Sequence, residues 1–323
     1  MSGRGRGRDR ARVAPARGSG QATALVVPCF AKVNLGLEVL GLRQDGYHEL
    51  RTIFQTISLR DEIRLTPRGE GVSVRCGHPG VPEDATNLAA RAGLELARFA
   101  RVRSGVHIEI VKRIPVAGGL GGGSSNAAAV LLGLDRLWGL GLGAPGLHPL
   151  ARRIGADVPF FLLGGTALGI ARGDEVYPLR KQVRAQVVVA VPSRPISTAA
   201  VFRRLDASLT PRENSNTIFR FVSRDLEAGD GFAVLSNDLE TAALEEAPDL
   251  RKEVRRIRGV LVREGAKLAL LSGSGASVFG LFDDAGGAGR ARQALSSAGV
   301  QAFRGRTVTL DEYRRAMARC FGR

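Results

Sequence analysis

Hydrophobic and polar residues alternate through the first third of the chain with the two-residue period of β-strands. From Val33 to Val39 every second residue is apolar, which predicts a strand with one buried face. The same reasoning predicts further strands at residues 50–59, 62–65, 72–75 and 106–110. Residues 67–71 are bounded by Pro67 and Gly71 and are predicted to form a hairpin loop that leads into the strand at 72–75.

Helical spacing marks two further segments of the first half. Apolar residues recur at intervals of four and three between Leu88 and Phe99, and Thr86 and Asn87 precede them as capping residues. A second helix is predicted from Ser124 to about Leu137, where apolar side chains again share one face.

The second half mixes both periods. Strands are predicted at residues 186–191, 267–271, 277–282 and 300–310, and helices at 198–205, 238–247, 249–264 and 290–297. Because strands and helices meet in both halves, the sequence predicts an α+β protein of two domains, with the boundary near residues 171–185. The predicted parts are a basic tail at 1–20, an N-terminal domain at 21–175 and a C-terminal domain at 176–323.

Composition excludes several classes of protein. The chain has 323 residues, of which 44% are hydrophobic and 24% charged, so wholesale disorder, a fibrous repeat and a multispan membrane protein are excluded. The uncharged run at 114–134 is long enough to span a bilayer, but it contains Pro115 and a cluster of glycines. The backbone of so irregular a segment would lack hydrogen-bond partners in lipid. No signal-like apolar segment follows the N-terminus, so we expect a cytoplasmic protein without a membrane partner. The three cysteines are far apart, and neither a disulfide scaffold nor a metal site is predicted.

Charge is strongly positive, with 47 Lys and Arg against 31 Asp and Glu, a net +16. Six arginines and one aspartate lie in residues 1–20, which we predict to be disordered. A nucleic-acid arm, a transit peptide and a plain solvated extension are all interpretations of this tail. The remaining charge is scattered and aromatic residues make up only 5%, so no specific nucleic-acid partner is expected.

The strongest chemical motif is a glycine-rich segment between a predicted strand and a predicted helix. Glycines let backbone N–H groups converge on an anion, and the following helix N-terminus adds free donors, so the segment predicts a phosphate site; a flexible linker is the alternative. It lacks the GK[ST] of a Walker A loop and the continuation of a dinucleotide-binding fingerprint. The residues assigned to phosphate binding are Pro115, Val116, Ala117, Gly118, Gly119, Leu120, Gly121, Gly122, Gly123, Ser124 and Ser125.

Three separated blocks of this sequence resemble the GHMP small-molecule kinases. They are residues 31–35 (AKVNL), the glycine-rich segment with its Ser-Ser-Asn-Ala-Ala continuation, and residues 271–276 (LSGSGA). The resemblance implies a two-domain fold, with a left-handed βαβ unit in the N-terminal domain and a ferredoxin-like C-terminal domain. It also implies ATP as cofactor, with Mg²⁺ carried on the nucleotide and Ser124 or Ser125 as possible hydroxyl ligands.

Blocks at 45–50 (DGYHEL), 155–161 (GADVPFF), 164–167 (GGTA) and 237–240 (NDLE) narrow the resemblance within that family. They imply that the acceptor is the 2-hydroxyl of a cytidine-diphosphate ester of methylerythritol, in non-mevalonate isoprenoid synthesis. Alternatives are a homoserine or mevalonate type of GHMP kinase and, from another class, a nucleic-acid-binding protein. The oligomeric state, monomer or homodimer, stays open.

The resemblance also assigns roles to individual residues. It implies Asp157 as the base that takes the hydroxyl proton and Lys32 as its cationic partner. From the residues alone, Asp157 before Val158 and Pro159 is explained as a helix N-cap. For Lys32 the alternative is a surface lysine at a strand edge, which the apolar alternation around it disfavours.

Substrate contacts are assigned in the same way. Asn34 shares a strand face with Lys32 and is predicted near the acceptor hydroxyl. Tyr47 and His48 are expected to hold the cytosine, or to be loop surface, and Phe202 to complete the aromatic stack, or to be core. Ala117 and Ala171 stand where many family members have glycine, a conservative change at 117 if the backbone φ there is negative.

Overall fold

The computed structural model describes residues 24–206, 216–226 and 231–322. The predicted basic tail at 1–20 lies outside the described residues. The elements of the first half are the strands β1 (Leu25–Leu42), β2 (His48–Glu70), β3 (Val72–Arg75), β4 (Ser104–Val111), β5 (Thr166–Ile170) and β6 (Glu175–Pro178), and the helices α1 (Leu88–Ala100), α2 (Gly122–Leu137), α3 (Gly143–Ile154) and α4 (Val158–Leu163).

The second half contains four strands and six α-helices among its described residues, together with a π-helical turn at Phe221–Asp225 and a 3₁₀ turn at Phe232–Val234. The strands are β7 (Gln186–Val191), β8 (Leu268–Leu271), β9 (Val278–Phe282) and β10 (Gln301–Arg306). The helices are α5 (Thr198–Asp206), α6 (Thr217–Arg220), α7 (Leu239–Glu246), α8 (Leu250–Arg263), α9 (Ala285–Ser297) and α10 (Leu310–Phe321).

Strand β2 organises the first sheet. It pairs with β1 along most of its length, with β5 through residues 52–55 and with β4 through residues 62–70, all antiparallel. The strands predicted at 50–59 and 62–65 are therefore one continuous element. The predicted hairpin at 67–71 is wrong: β3 pairs in parallel with β4, which lies between β3 and β2.

The second sheet has the order β10-β7-β9-β8 and is antiparallel throughout. The prediction of one strand over 300–310 is wrong in its second part, because β10 ends at Arg306 and α10 begins at Leu310. Thr309 and Glu312 form a capping box at the start of that helix, in which each side chain accepts the backbone N–H of the other residue. Helix α9 begins at Ala285, five residues before the predicted start.

Three buried clusters hold the layers together. One lies between the first sheet and α1–α4, another between the second sheet and its helices, and the third joins the two sheets through residues such as Val33, Ile53, Val189 and Phe279. The α+β class with two domains is confirmed, while the boundary at residue 175 stays a prediction.

Helix α10 belongs to the first of these clusters although it is the last described element of the chain. Tyr313 is buried there, and its hydroxyl donates a hydrogen bond to the Phe161 carbonyl in α4. A Cβ at Gly164 would lie 2.3 Å from the Tyr313 ring, so α10 and the end of α4 fit closely together. Among the described residues, no helix combines the length and the apolar character needed to cross a membrane.

Candidate active site

A cavity of about 520 Å³ opens where β1, the glycine-rich segment and the Gly273–Ser274 turn meet. Of the predicted site residues, Lys32, Asn34, Asp157, Phe202 and positions 115–124 line it. Ser125, Tyr47 and His48 are not lining residues; Ser125 and His48 are buried, and Tyr47 is exposed. The structure thus brings most of the predicted site together around one space.

Lys32 is a buried cation on β1, not a surface lysine. Its side chain is only 4% exposed, and its Nζ donates to Asn34 Oδ1 at 2.6 Å. Asn34 Nδ2 in turn donates to Thr52 Oγ1 at 2.8 Å, and the Thr52 hydroxyl donates to the Gly36 carbonyl at 2.8 Å. This chain of bonds between β1 and β2 fixes the orientation of the Asn34 amide and leaves the ammonium facing the cavity.

Asp157 immediately precedes α4 and faces Lys32. Its Oδ2 lies 3.5 Å from Lys32 Nζ, and its side chain is 33% exposed. Its backbone is already helical (φ −80°, ψ −13°), and its carboxylate makes no capping hydrogen bond. The geometry therefore leaves the carboxylate available to a ligand in the cavity and does not support its interpretation as an N-cap.

The glycine-rich segment has the backbone geometry of an anion site. Gly121 adopts the left-handed conformation (φ +71°) and stands in front of α2, whose first turn receives no side-chain cap at that position. The N–H groups of that turn point toward the cavity end of the helix, where an anion is favoured. The Lys32 backbone N–H donates to the Leu120 carbonyl at 3.0 Å and ties the segment to β1.

The third block of the resemblance packs directly on this segment. Ser272 Oγ donates to the Gly119 carbonyl at 2.9 Å, and a Cβ at Gly119 would lie 2.0 Å from the Ser272 carbonyl oxygen. A Cβ at Gly273 would lie 3.3 Å from both Lys32 Nζ and Asn34 Oδ1. The loop of the second sheet therefore forms one wall of the cavity, and its backbone lies so close to the glycine-rich segment that position 119 requires glycine.

Two alanines occupy positions with positive φ. Ala117 has φ +55° and Ala171 has φ +58°, so the condition under which alanine at 117 would be conservative is not met. An L-residue in this region costs about 1–2 kcal/mol relative to a right-handed conformation. Both alanines therefore carry backbone strain, one of them inside the glycine-rich segment.

Of the residues predicted to hold the cytosine, Phe202 lines the cavity, His48 contacts Phe202, and Tyr47 contacts Arg172 of the cavity wall. The rings of His48 and Phe202 are stacked with centroids 4.9 Å apart, and Phe202 both lines the cavity and packs against the second core. His48 Nε2 lies 2.7 Å from Asp206 Oδ1, with the imidazole N–H donating to the carboxylate. Tyr47 is 54% exposed, and the Arg172 guanidinium lies 4.6 Å from its ring centroid.

The turn before Tyr47 is held by local bonds. Asp45 Oδ1 accepts the Tyr47 backbone N–H at 3.1 Å, and this bond holds the pKa of Asp45 below its usual range. The turn therefore presents Tyr47 and His48 in a defined backbone geometry.

Two cationic residues of the cavity wall were missed from the sequence. Lys112 is one of only five lysines in a chain rich in arginine, and this scarcity was the signal that could have singled it out. Arg172 donates to the buried Asp174 at 2.6 Å. Burial pushes the pKa of Asp174 up, but the hydrogen bonds from Arg172 and Arg152 outweigh it and hold that pKa below its usual range. Nothing in the spacing around Arg172 pointed to the cavity.

Comparison with known proteins agrees with this geometry. Residues 86–165 match the model of the GHMP kinases N terminal domain, and residues 225–301 match that of the GHMP kinases C terminal domain. A 4-diphosphocytidyl-2-C-methyl-D-erythritol kinase of Geobacter metallireducens is 45% identical over 260 residues, covering 80% of this chain and 89% of the relative. One of Synechococcus sp. is 42% identical over 273 residues, covering 82% and 87%.

Solved structures give the same picture. The crystal structure of a 4-(cytidine 5'-diphospho)-2C-methyl-D-erythritol kinase superposes with a TM-score of 0.71 at 36% identity, covering 87% of this chain and 98% of that one. A homoserine kinase from Cytophaga hutchinsonii superposes with a TM-score of 0.68 at 17% identity, covering 92% and 98%, a likeness of fold alone.

Proposed function

The chain belongs to the GHMP kinases, and from that premise we propose that it transfers the γ-phosphoryl group of ATP to the 2-hydroxyl of 4-diphosphocytidyl-2-C-methyl-D-erythritol. The products are the 2-phosphate ester and ADP, a step of non-mevalonate isoprenoid synthesis. The observation that carries the proposal is the facing of Asp157 and Lys32 in the same cavity as the glycine-rich segment.

The proposed reaction is an in-line displacement in which the protein mainly positions the reactants. Asp157 accepts the proton of the acceptor hydroxyl as its oxygen bonds to the γ-phosphorus, and the bond from that phosphorus to the β,γ-bridging oxygen breaks to release ADP. Lys32 gives the carboxylate a cationic partner and stabilises negative charge near the acceptor oxygen. Asn34 Oδ1 accepts a hydrogen bond from Lys32 Nζ and holds it in place, and Asn34 would lie beside the acceptor hydroxyl.

The backbone of residues 115–124 and the N-terminus of α2 would bind the ATP phosphates. Mg²⁺ would arrive on ATP, where it neutralises phosphate charge, and it prefers oxygen ligands while keeping several waters. Ser124 lines the cavity and could offer its hydroxyl to the ion, whereas Ser125 is only 2% exposed and does not line the cavity. Of the two serines that the sequence leaves as possible Mg²⁺ ligands, we therefore favour Ser124.

The acceptor would lie with its cytosine toward Phe202, His48 and Tyr47. An aromatic ring and an imidazole at that end suit a flat heterocycle that has both a π-face and hydrogen-bonding edges. All the groups proposed for the reaction lie on one chain, so a monomer or a homodimer could carry it out. We expect the reaction to take place in the cytoplasm, where ATP is available.

Turnover of the purified protein with Mg-ATP tests the proposal. ADP release and ³¹P NMR of the product are measured with the cytidyl alcohol, homoserine and mevalonate as acceptors under identical conditions. We expect phosphorylation of the cytidyl alcohol with a kcat/KM far above that of the other two. Equal or preferential use of homoserine or mevalonate would contradict the assignment of the acceptor and leave the family membership intact.

A further inference from the structure

Asp61 is a fully buried carboxylate in β2 that the proposed chemistry does not use. It is 0% exposed and lies opposite Cys29 of β1, next to the point where β2 pairs with the last residue of β4. From there the chain runs through Lys112 and Arg113 into the glycine-rich segment. Asp61 therefore lies beneath the entrance to the phosphate-binding segment.

Four donors converge on this one carboxylate. Oδ1 accepts the backbone N–H groups of Arg113 and Ile114, both at 2.7 Å. Oδ2 accepts Lys112 Nζ at 2.6 Å and Asn126 Nδ2 at 3.2 Å. A carboxylate is acceptor-only and offers about four lone-pair sites, so it matches this set, whereas a neutral amide of the same shape would turn N–H groups toward other N–H groups.

These donors come from both sides of the glycine-rich segment. Arg113 and Ile114 directly precede Pro115, while Asn126 lies in α2 just after the segment has ended. Lys112 adds a third link, because its Nζ lies 2.8 Å from the place a Cβ on Gly122 would occupy. One buried side chain thus connects the strand that enters the segment with the helix that leaves it.

We propose that Asp61 is a positioning residue for ATP: it holds the two ends of the glycine-rich segment together so that the backbone N–H groups converge before the nucleotide arrives. A segment ordered in advance has less conformational entropy to lose when ATP binds, which raises affinity. This inference rests on the proposed use of the segment for ATP. It assigns Asp61 no contact with substrate.

The test is nucleotide affinity in an Asp61→Asn variant. The Kd of a non-hydrolysable Mg-ATP analogue is measured by calorimetry, and the KM for ATP, the KM for the cytidyl alcohol and kcat by turnover. We expect the Kd and the KM for ATP to rise about tenfold or more, because both the charge and two acceptor sites are lost. The KM for the alcohol and kcat at saturating ATP are expected to stay within about threefold of the wild-type values.

Asp135→Asn is the matched control. Asp135 also accepts two backbone N–H groups, those of Leu142 and Gly143 at 2.8 and 2.9 Å, but at the far end of α2. We expect this variant to lose stability without losing ATP affinity. Equal ATP affinity in Asp61→Asn and wild type, or an equal loss in both variants, would overturn the inference.

If Asp61→Asn fails to fold, Asn126→Ala gives a second measurement. It removes the link to α2 and keeps the Lys112, Arg113 and Ile114 bonds, so about a threefold or larger loss of ATP affinity is expected. Unchanged affinity would overturn the inference. Wild-type protein that binds ATP but does not phosphorylate the cytidyl alcohol would contradict the proposed function and leave the test of Asp61 valid.

Discussion

The carboxylate of Asp157 lies 3.5 Å from the ammonium of Lys32 in the cavity wall. The carboxylate makes no capping hydrogen bond to the helix that follows it. Lys32 is nearly inaccessible and fixed through Asn34, whereas Asp157 is one-third exposed and free to meet a ligand. The pair therefore combines a rigid cation with an accessible carboxylate, which is the arrangement that the proposed phosphoryl transfer to a hydroxyl group would use.

Replacing Asp157 with asparagine should abolish most turnover without destabilising the protein. The amide has a similar shape but cannot take the hydroxyl proton, so kcat is expected to fall about 100-fold or more. Because the carboxylate caps nothing, the melting temperature and the Kd of an ATP analogue should stay close to those of wild type. A variant that kept its turnover and melted at a lower temperature would return Asp157 to a structural role.

Gly119→Ala should disrupt the glycine-rich segment, for which we propose phosphate binding, far more than Gly139→Ala does. Both glycines have positive φ, +73° and +63°, but a Cβ at 119 would meet the Ser272 carbonyl at 2.0 Å while nothing lies within 4 Å of a Cβ at 139. Gly139→Ala is expected to cost about 1–2 kcal/mol of unfolding free energy, the price of the left-handed conformation alone. Gly119→Ala should cost more and also weaken ATP binding, as denaturant titrations and the KM for ATP would show. Equal effects of the two substitutions would mean that the Ser272 backbone can move to make room for a side chain at position 119.

Ala117→Gly should stabilise the protein. Relief of the left-handed strain at φ +55° outweighs the added flexibility of glycine in the unfolded chain, so a gain of up to about 1 kcal/mol is expected. Ala171→Gly should gain less, because its side chain is only 9% exposed and a buried methyl group would be lost. Thermal denaturation of the two variants compares them directly, and a lower melting temperature for Ala117→Gly would contradict this account.

His48→Ala should impair use of the cytidyl alcohol much more than use of ATP. Loss of a hydrogen-bonding ring stacked on Phe202 is expected to lower kcat/KM for the alcohol about tenfold, with the KM for ATP little changed. Tyr47→Ala should act in the same direction. Its control is Tyr177→Ala, since Tyr177 is similarly exposed (52%), whereas the Tyr47 ring packs on Arg172 of the cavity wall. Matching kinetics for Tyr47→Ala, Tyr177→Ala and wild type would make Tyr47 part of the loop surface.

Local features were predictable from the sequence, and pairings between distant segments were not. The helix after Asn87 is where the spacing predicted it, and Asn87 Oδ1 accepts the Ala89 N–H at 2.9 Å, because capping depends on neighbours in the chain. The position of β4 between β2 and β3 depends on a segment later in the chain. The turn residues at 67–71 therefore led to the wrong prediction that β2 and β3 form a hairpin. The helix after Thr309 was missed although its Thr-x-x-Glu capping box stands in the sequence.

The same division holds for the site. Alternation along β1 placed Asn34 on the side of Lys32, and the structure joins them at 2.6 Å. The positive φ of Ala117 could not be read from the residue type, since alanine rarely adopts it. The convergence of four donors on Asp61 required knowing that β2, β4 and α2 meet at one point.

The packing of Tyr313 against α4 bears on the order in which the protein can mature during its synthesis. The first sheet and the region of Asp157 leave the ribosome early. Tyr313, whose ring fills the space beside Gly164, is synthesised only after the second sheet. Until α10 is synthesised, the N-terminal half would therefore have an exposed apolar groove beside Gly164, and α4, which follows Asp157, would lack this packing. Loss of the last helix should therefore disturb first the C-terminal end of α4, where Phe161 and Gly164 contact Tyr313, and only through that helix the position of Asp157 at its other end.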